Sequence, residues 1–307
     1  MLTTKHAALQ RRAFLRHIAV GGLAVSSFNT PGKAAGKILP VIKIGDKSVT
    51  RLIAGSNPIG GWSHSTVMMD QLMRGYFTTE RTIEFILHCE EYGINTLQIG
   101  YSPKTRDALL GARDRGSKIQ WICLTSGEDD TVWKEILALK PIAMSHHGEV
   151  TDQMFKSGNH PKIRDFLKKV HDRGLLAGMS THHPDNLARA EDADWETDFY
   201  MACFYNKNFD RNEVRAKLGD VPVDELYLEG HPQVMTRRMQ QIKKPCLGFK
   251  ILAAGRLCKN RAMVEKAFAF AFSSIKPRDA VIVGMFPILS DQVQEDADFA
   301  RKYGTST

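Results

Sequence analysis

From Ile38 onward the chain alternates, eight times over, between a short apolar or β-branched run and a longer amphipathic stretch. The short runs are residues 51–55, 95–100, 120–125, 141–146, 175–181, 199–205, 245–252 and 280–284. The amphipathic stretches are 79–92, 105–115, 131–139, 163–173, 185–193, 234–242, 261–274 and 290–302. Near-continuous apolar strands separated by helices pair in parallel, because each crossover helix covers a face of the sheet. Eight such units close on themselves, so the expected fold class is α/β, a (β/α)8 TIM barrel. Gly93 and Gly174 stop two of the helices, and Asp185 and Ser290 stand where N-caps belong. Residues 41–49, turning at Gly45-Asp46, read as a short N-terminal hairpin that plugs the lower end of the barrel.

The first 35 residues have a different character. Gln10-Arg11-Arg12-Ala13-Phe14-Leu15-Arg16 matches a twin-arginine signal, an arginine pair followed by an aromatic residue and a leucine. The apolar stretch behind it, residues 18–28, is shorter than the ~20 apolar residues a bilayer span requires. It is the core of a signal, with small residues at Ala34, Ala35 and Gly36 for cleavage. The expected division is therefore 1–35, a twin-arginine signal peptide, and 36–307, the barrel. The partner during export is the twin-arginine translocase, and the destination is periplasmic or otherwise extracytoplasmic.

The same segment explains the charge. The formal net charge is +8, but residues 1–35 hold Lys5, Arg11, Arg12, Arg16 and Lys33 and no acid, so the remainder carries +3. Runs such as Lys168-Lys169 and Arg237-Arg238 are solvated helix faces, and no basic stripe interleaved with aromatics follows, which argues against nucleic acid as a partner. Five cysteines without a CxxC pair offer neither a disulfide framework nor a zinc ribbon.

A barrel of this kind carries its chemistry where strands end and loops begin. The residues there are Asn57, Gln98, Ser126, His146-His147, His182-His183, Tyr205-Asn206, Lys250 and Met285, with long connections at 56–76 and 208–234 that can cover the mouth. Every second strand residue faces inward, which would let His147, His182 and Cys203 converge on a divalent transition metal.

Several of these segments resemble the aldo-keto reductases. They are Arg51-Leu-Ile-Ala-Gly-Ser-Asn-Pro-Ile-Gly-Gly61, Gly93-Ile-Asn95 opening the second strand, Tyr101 ten residues before Gly111, Tyr205-Asn206 ending the sixth strand, and Val281-Ile-Val-Gly284 followed by Gln292-Val-Gln-Glu295. The resemblance covers about residues 41 to 300. It implies an oxidoreductase with NADP as cofactor, acting on a carbonyl or sugar-like small molecule, with Tyr101 as proton donor and His147 orienting the substrate. A hydride leaves an alkoxide that must be protonated, and a nearby ammonium tunes the donor. Gln98 stands in the place of the family's aspartate and Ser126 in that of its lysine, while Lys250 can bring an ammonium from the seventh strand. The implied cofactor contacts are Ser126, Tyr205, Asn206, Gly284 and Glu295. The alternatives are a metal-dependent isomerase, lyase or epimerase using His147, His182 and Cys203, and a barrel that only binds a small ligand.

Overall fold

The computed structural model describes residues 38–127, 129–207 and 210–305. The chain divides between Ala35 and Gly36, and every described element belongs to the unit from Gly36 on. The twin-arginine stretch lies outside the described residues.

In chain order the elements are β1 (Val41–Ile44), β2 (Lys47–Thr50), β3 (Leu52–Gly55), α1 (Asn57–Gly60), α2 (Val67–Tyr76), α3 (Thr79–Glu91), β4 (Thr96–Gly100), α4 (Pro103–Asp114), β5 (Gln120–Thr125), α5 (Asp130–Ala138), β6 (Ala143–His146), α6 (Gly148–Lys156), α7 (Pro161–His171), β7 (Leu176–Thr181), α8 (Pro184–Asp192), β8 (Phe199–Cys203), α9 (Arg211–Leu218), α10 (His231–Gln241), β9 (Cys246–Phe249), α11 (Arg261–Ser274), β10 (Ala280–Gly284) and α12 (Gln292–Tyr303). β3 to β10 form a closed barrel in sequence order, β10 pairing with β3. Every neighbouring pair is parallel. The fold is the (β/α)8 TIM barrel with an antiparallel β1–β2 hairpin before it.

Helix faces show why the barrel is covered. In α7, Ile163, Phe166, Leu167 and Val170 are buried at a helical spacing while Lys168, Lys169 and His171 occupy the last turn. Each such side chain contributes roughly 1.5–3 kcal/mol by leaving water. Polar caps start the helices: Thr78, Ser102 and Asp129 accept hydrogen bonds from backbone N–H groups of the first turns of α3, α4 and α5. The expected caps differ in two places, since His183 rather than Asp185 caps α8 and Asp291 rather than Ser290 caps α12.

The N-terminal end of the barrel is sealed. Ile42, Ile44 and Val49 of the hairpin pack with Ile53, Ile122, Phe199, Met201, Leu247 and Ile282, the inward residues of the strands. Gly45 turns the hairpin at φ +55°, and a Cβ there would meet Leu176 Cδ2 at 2.7 Å. Where β10 meets β3, the buried Arg51 donates to the carbonyls of Asp279, Gly304 and Lys276 at 2.8, 2.7 and 3.1 Å. Lys276 pairs with Asp279 at 2.9 Å and Asp279 accepts from Cys246 N at 2.8 Å. Among the described residues no helix is long and apolar enough to cross a membrane.

Candidate functional site

The other end of the barrel is open. A cleft of about 720 Å³ lies over the ends of β3, β9 and β10. Its walls come from the loop after α1 (Trp62 to Ser65), from residues 249–261 beyond β9, and from Ser290, Gln292 and Glu295 at the start of α12, with Gln98 reaching in from β4.

Two donors in this cleft are left without acceptors. Gln98 is 5% exposed. Its Nε2 and the Lys250 Nζ are both buried with no hydrogen-bond partner among the described residues. Burial lowers the Lys250 ammonium to about 8, with the cations of Lys207 and Arg256 pushing the same way against Cys203 and Glu225. The backbone here is unusual. β9 ends at Phe249 because Lys250 turns left-handed at φ +60°, followed by Ala253 at +49° and Ala254 at +50°. Non-glycine residues in that region cost about 1–3 kcal/mol each, and such strain gathers at functional sites.

His64 lines the same cleft, itself at φ +53°. Its Nδ1 lies 2.9 Å from Glu225 Oε1, which also accepts from Lys207 Nζ at 2.7 Å, while Glu225 Oε2 accepts from Tyr227 Oη at 3.0 Å. Burial lowers the His64 pKa below the usual imidazole value despite its bond to Glu225. Burial alone would raise the Glu225 carboxyl, but its bonds from His64 and Lys207 hold it well below the ordinary range. Arg256 donates to the carbonyls of His64 and Ala253 at 3.1 and 3.3 Å and stacks on Tyr227, 4.0 Å from the ring centroid.

A second dyad joins the end of β7 to the middle of α6. His182 Nδ1 is 2.8 Å from Asp152 Oδ2, and Asp152 also accepts from His182 N, Asn186 Nδ2 and the Thr181 hydroxyl. Burial keeps His182 below the ordinary imidazole pKa against the pull of Asp152.

Of the residues singled out by sequence, Gln98, Lys250, Gly284 and Glu295 meet on this cleft, and Ser126, Tyr205 and Asn206 do not line it. Tyr101, the expected proton donor, lies instead beside α5. Its hydroxyl bonds Glu135, and this bond, with some burial, raises the phenol pKa instead of lowering it. Tyr205 is buried with its ring 5.0 Å from that of Tyr227. Asn206 lines a separate pocket of about 70 Å³ with Pro184 and His231. His146 is 2% exposed and does not face water as a loop histidine would; its Nδ1 is 2.8 Å from Thr151 Oγ1 and its ring meets Phe166 edge-on.

His147 begins α6 as its N-cap residue, and Cys203 is fully buried with its thiol pushed up to about 12 by burial. Among the described residues no group of three or more His, Cys, Asp or Glu side chains is arranged to hold a metal ion. Thiolate is the ligand form, and burial disfavours it at Cys203. The two carboxylates that orient the histidines had no sequence signal. Glu225 lies in the long 208–234 connection, but Asp152 sits in a helix the periodicity did not reveal.

No protein-family model matches the chain, and no curated protein matches it. Solved structures do resemble it. One, described as Gox0644 in its apo form, is 12% identical over 88% of this chain and 97% of its own, with a TM-score of 0.50. A glycerol dehydrogenase, AKR11B4, from Gluconobacter oxydans is 11% identical over 87% and 97%, with a TM-score of 0.48. An N-acetylneuraminic acid synthetase from Leptospira borgpetersenii serovar Hardjo-bovis is 10% identical over 87% and 88%, also at 0.48. Likeness at these identities concerns the barrel fold, which hosts many chemistries.

Proposed function

We propose that the protein is an exported enzyme of aldo-keto-reductase type that acts on a carbonyl or sugar-like small molecule at the open end of its barrel, in the periplasm after passage through the twin-arginine route. The observation that carries this reading is the pair of unpartnered donors, Gln98 Nε2 and Lys250 Nζ, in one cleft. A buried donor without an acceptor costs roughly 1–3 kcal/mol, more when charged. A ligand oxygen accepting from these donors would relieve that cost, and a carbonyl or hydroxyl oxygen is the natural acceptor.

In this reading Gln98 and Lys250 hold the oxygen of the reacting carbon. Lys250 is the proton carrier, since a pKa near the working pH suits both giving and taking a proton. His64, fixed through Nδ1 by Glu225, exchanges protons at the cleft wall.

The residues present also fit a nicotinamide dinucleotide phosphate. Arg256, Arg261, Asn260 and Ser290 line the cleft beyond Lys250, and Gly284 is bare where a Cβ would meet Pro58 Cδ at 2.7 Å. When bound, such a cofactor supplies or accepts the hydride. Arg256 and Arg261 would hold its phosphates.

The test is oxidation of the reduced dinucleotide with a panel of aldehydes, ketones and ketoses. Turnover is expected, with the rate unchanged in Tyr101→Phe because that hydroxyl is engaged by Glu135. Absence of both nucleotide binding and turnover would overturn the reading in favour of a barrel that only binds a ligand. Loss of rate in Tyr101→Phe would move the proton donor back to Tyr101.

A further inference from the structure

Lys250 has a combination of surroundings that proton transfer alone does not demand. Its residue lines a cleft large enough for a small sugar or ketone, and its amine, buried in that wall, meets no carboxylate at hydrogen-bond distance among the described residues. The carboxylate that bears on it electrostatically, Glu225, is engaged by His64, Lys207 and Tyr227. Two further cations, Lys207 and Arg256, disfavour its charged form. Desolvation and a neighbouring cation are the two ways in which a lysine amine is made nucleophilic toward carbonyl compounds. Contact with a fixed carboxylate, which would hold it as an ammonium, is what the site leaves out. Lys250 lines the cleft as the first residue after β9, at the left-handed turn where the strand stops.

We propose that Lys250 is also a covalent nucleophile, forming an imine with small aldehydes or ketones that enter the cleft. The neutral Nζ adds its lone pair to the carbonyl carbon, making a C–N bond as the C=O π pair moves to oxygen. One proton passes from nitrogen to that oxygen, giving a carbinolamine. The C–O bond then breaks, oxygen leaves as water with a second proton, and C=N forms. The balance is amine plus carbonyl giving imine plus water, with no change in oxidation state. His64 lines the same cleft and feels the charge of Lys250, and Glu225 holds its ring, so it is the group to carry the proton between nitrogen and oxygen. An imine acidifies the adjacent C–H bond. This gives the site an activity of the enolisation or carbon–carbon cleavage class without a metal, for substrates carrying a hydrogen or hydroxyl next to the carbonyl.

The experiment is reductive trapping. The full chain is incubated at pH 8 with dihydroxyacetone or pyruvate as probe, reduced with borohydride, digested and mapped by mass. One adduct per chain is expected, the probe less one oxygen atom, on the peptide carrying Lys250. It should be lost in Lys250→Arg and at least tenfold slower to form in His64→Gln. No adduct, or adducts spread over surface lysines to the same extent in wild type and Lys250→Arg, would overturn the proposal. The wild-type map is decisive by itself, an adduct confined to the Lys250 peptide supporting the proposal and none there overturning it, so a poorly folding variant does not spoil the test. No nicotinamide is present in this assay, so its failure leaves the dinucleotide-dependent reading standing, and the reverse also holds.

Discussion

The two ends of this barrel handle buried polar groups in opposite ways. At the N-terminal end Arg51 is 3% exposed and donates to three carbonyls, while Lys276 and the fully buried Asp279 pair with each other. There the hairpin residues Ile42, Ile44 and Val49 close the interior. At the C-terminal end Gln98 and Lys250 have buried donors without acceptors among the described residues, and His64, Lys250, Ala253 and Ala254 adopt left-handed backbone. What distinguishes the C-terminal end is that left-handed backbone and two unpartnered donors meet on one cleft. Proteins retain such local violations where a ligand resolves them.

The comparison breaks most visibly at Lys250. Lys250→Met should lower turnover by about 10³-fold or more if the amine is the central group, while the melting temperature stays level or rises, because a buried cation is replaced by an apolar chain of similar length. The pH dependence has a definite sign. The folded-state pKa is depressed to about 8 from an ordinary 10.5, so the unfolded chain binds more protons between those values and wild-type stability rises with pH through that window. Lys250→Met should lack this rise, as thermal melts from pH 7 to 10.5 would show. A destabilised but active variant would reverse the assignment of the two ends.

Next in size is Arg51→Met, the mirror experiment. It leaves three buried carbonyls without their donor, at a cost of about 3–5 kcal/mol. For a domain of this size that is roughly 10 °C in melting temperature, with activity per folded molecule unchanged. Smaller still is His146, whose burial, with His147 beside it, lowers its pKa to about 4. The unfolded histidine takes up a proton near 6.5, so stability is full above that pH and falls as pH drops toward 4, by on the order of 2–3 kcal/mol. His146→Leu should flatten that slope in acid-unfolding curves.

Much of this architecture was readable in the sequence. Runs such as Ala280–Gly284 and Gln120–Thr125 begin and end where the β-branched and apolar residues do. Others are shorter than their apolar runs for local reasons. Pro141 has no N–H to give a ladder, so β6 starts at Ala143. β9 stops at Phe249 because Lys250 turns left-handed, although the apolar run continues to Leu252. Helix α6 was hidden because its buried face is Gly148, Thr151, Asp152 and Phe155, of which only Phe155 is a large apolar residue.

Gln98 and Lys250 were legible as strand-end residues. Their lack of partners was not, because it depends on everything packed around them. Likewise His64 and Glu225 are 161 positions apart, and nothing local in either segment announces the pairing. Tyr101 shows the converse. Its place in the chain order resembles that of a catalytic tyrosine, but the ring follows Gly100 out of β4 toward Glu135 and Arg106 on the outer helices.

The central claim is that Gln98 and Lys250 together await one ligand oxygen. A crystal structure of the full chain soaked with a small ketose tests it most directly. The account predicts a ligand oxygen about 3 Å from both Gln98 Nε2 and Lys250 Nζ, or a covalent bond from Lys250 to the carbonyl carbon with Gln98 on the adjacent hydroxyl. A ketose seated beside Tyr101 or Asn206, with Lys250 bonded to a protein acceptor, would contradict it.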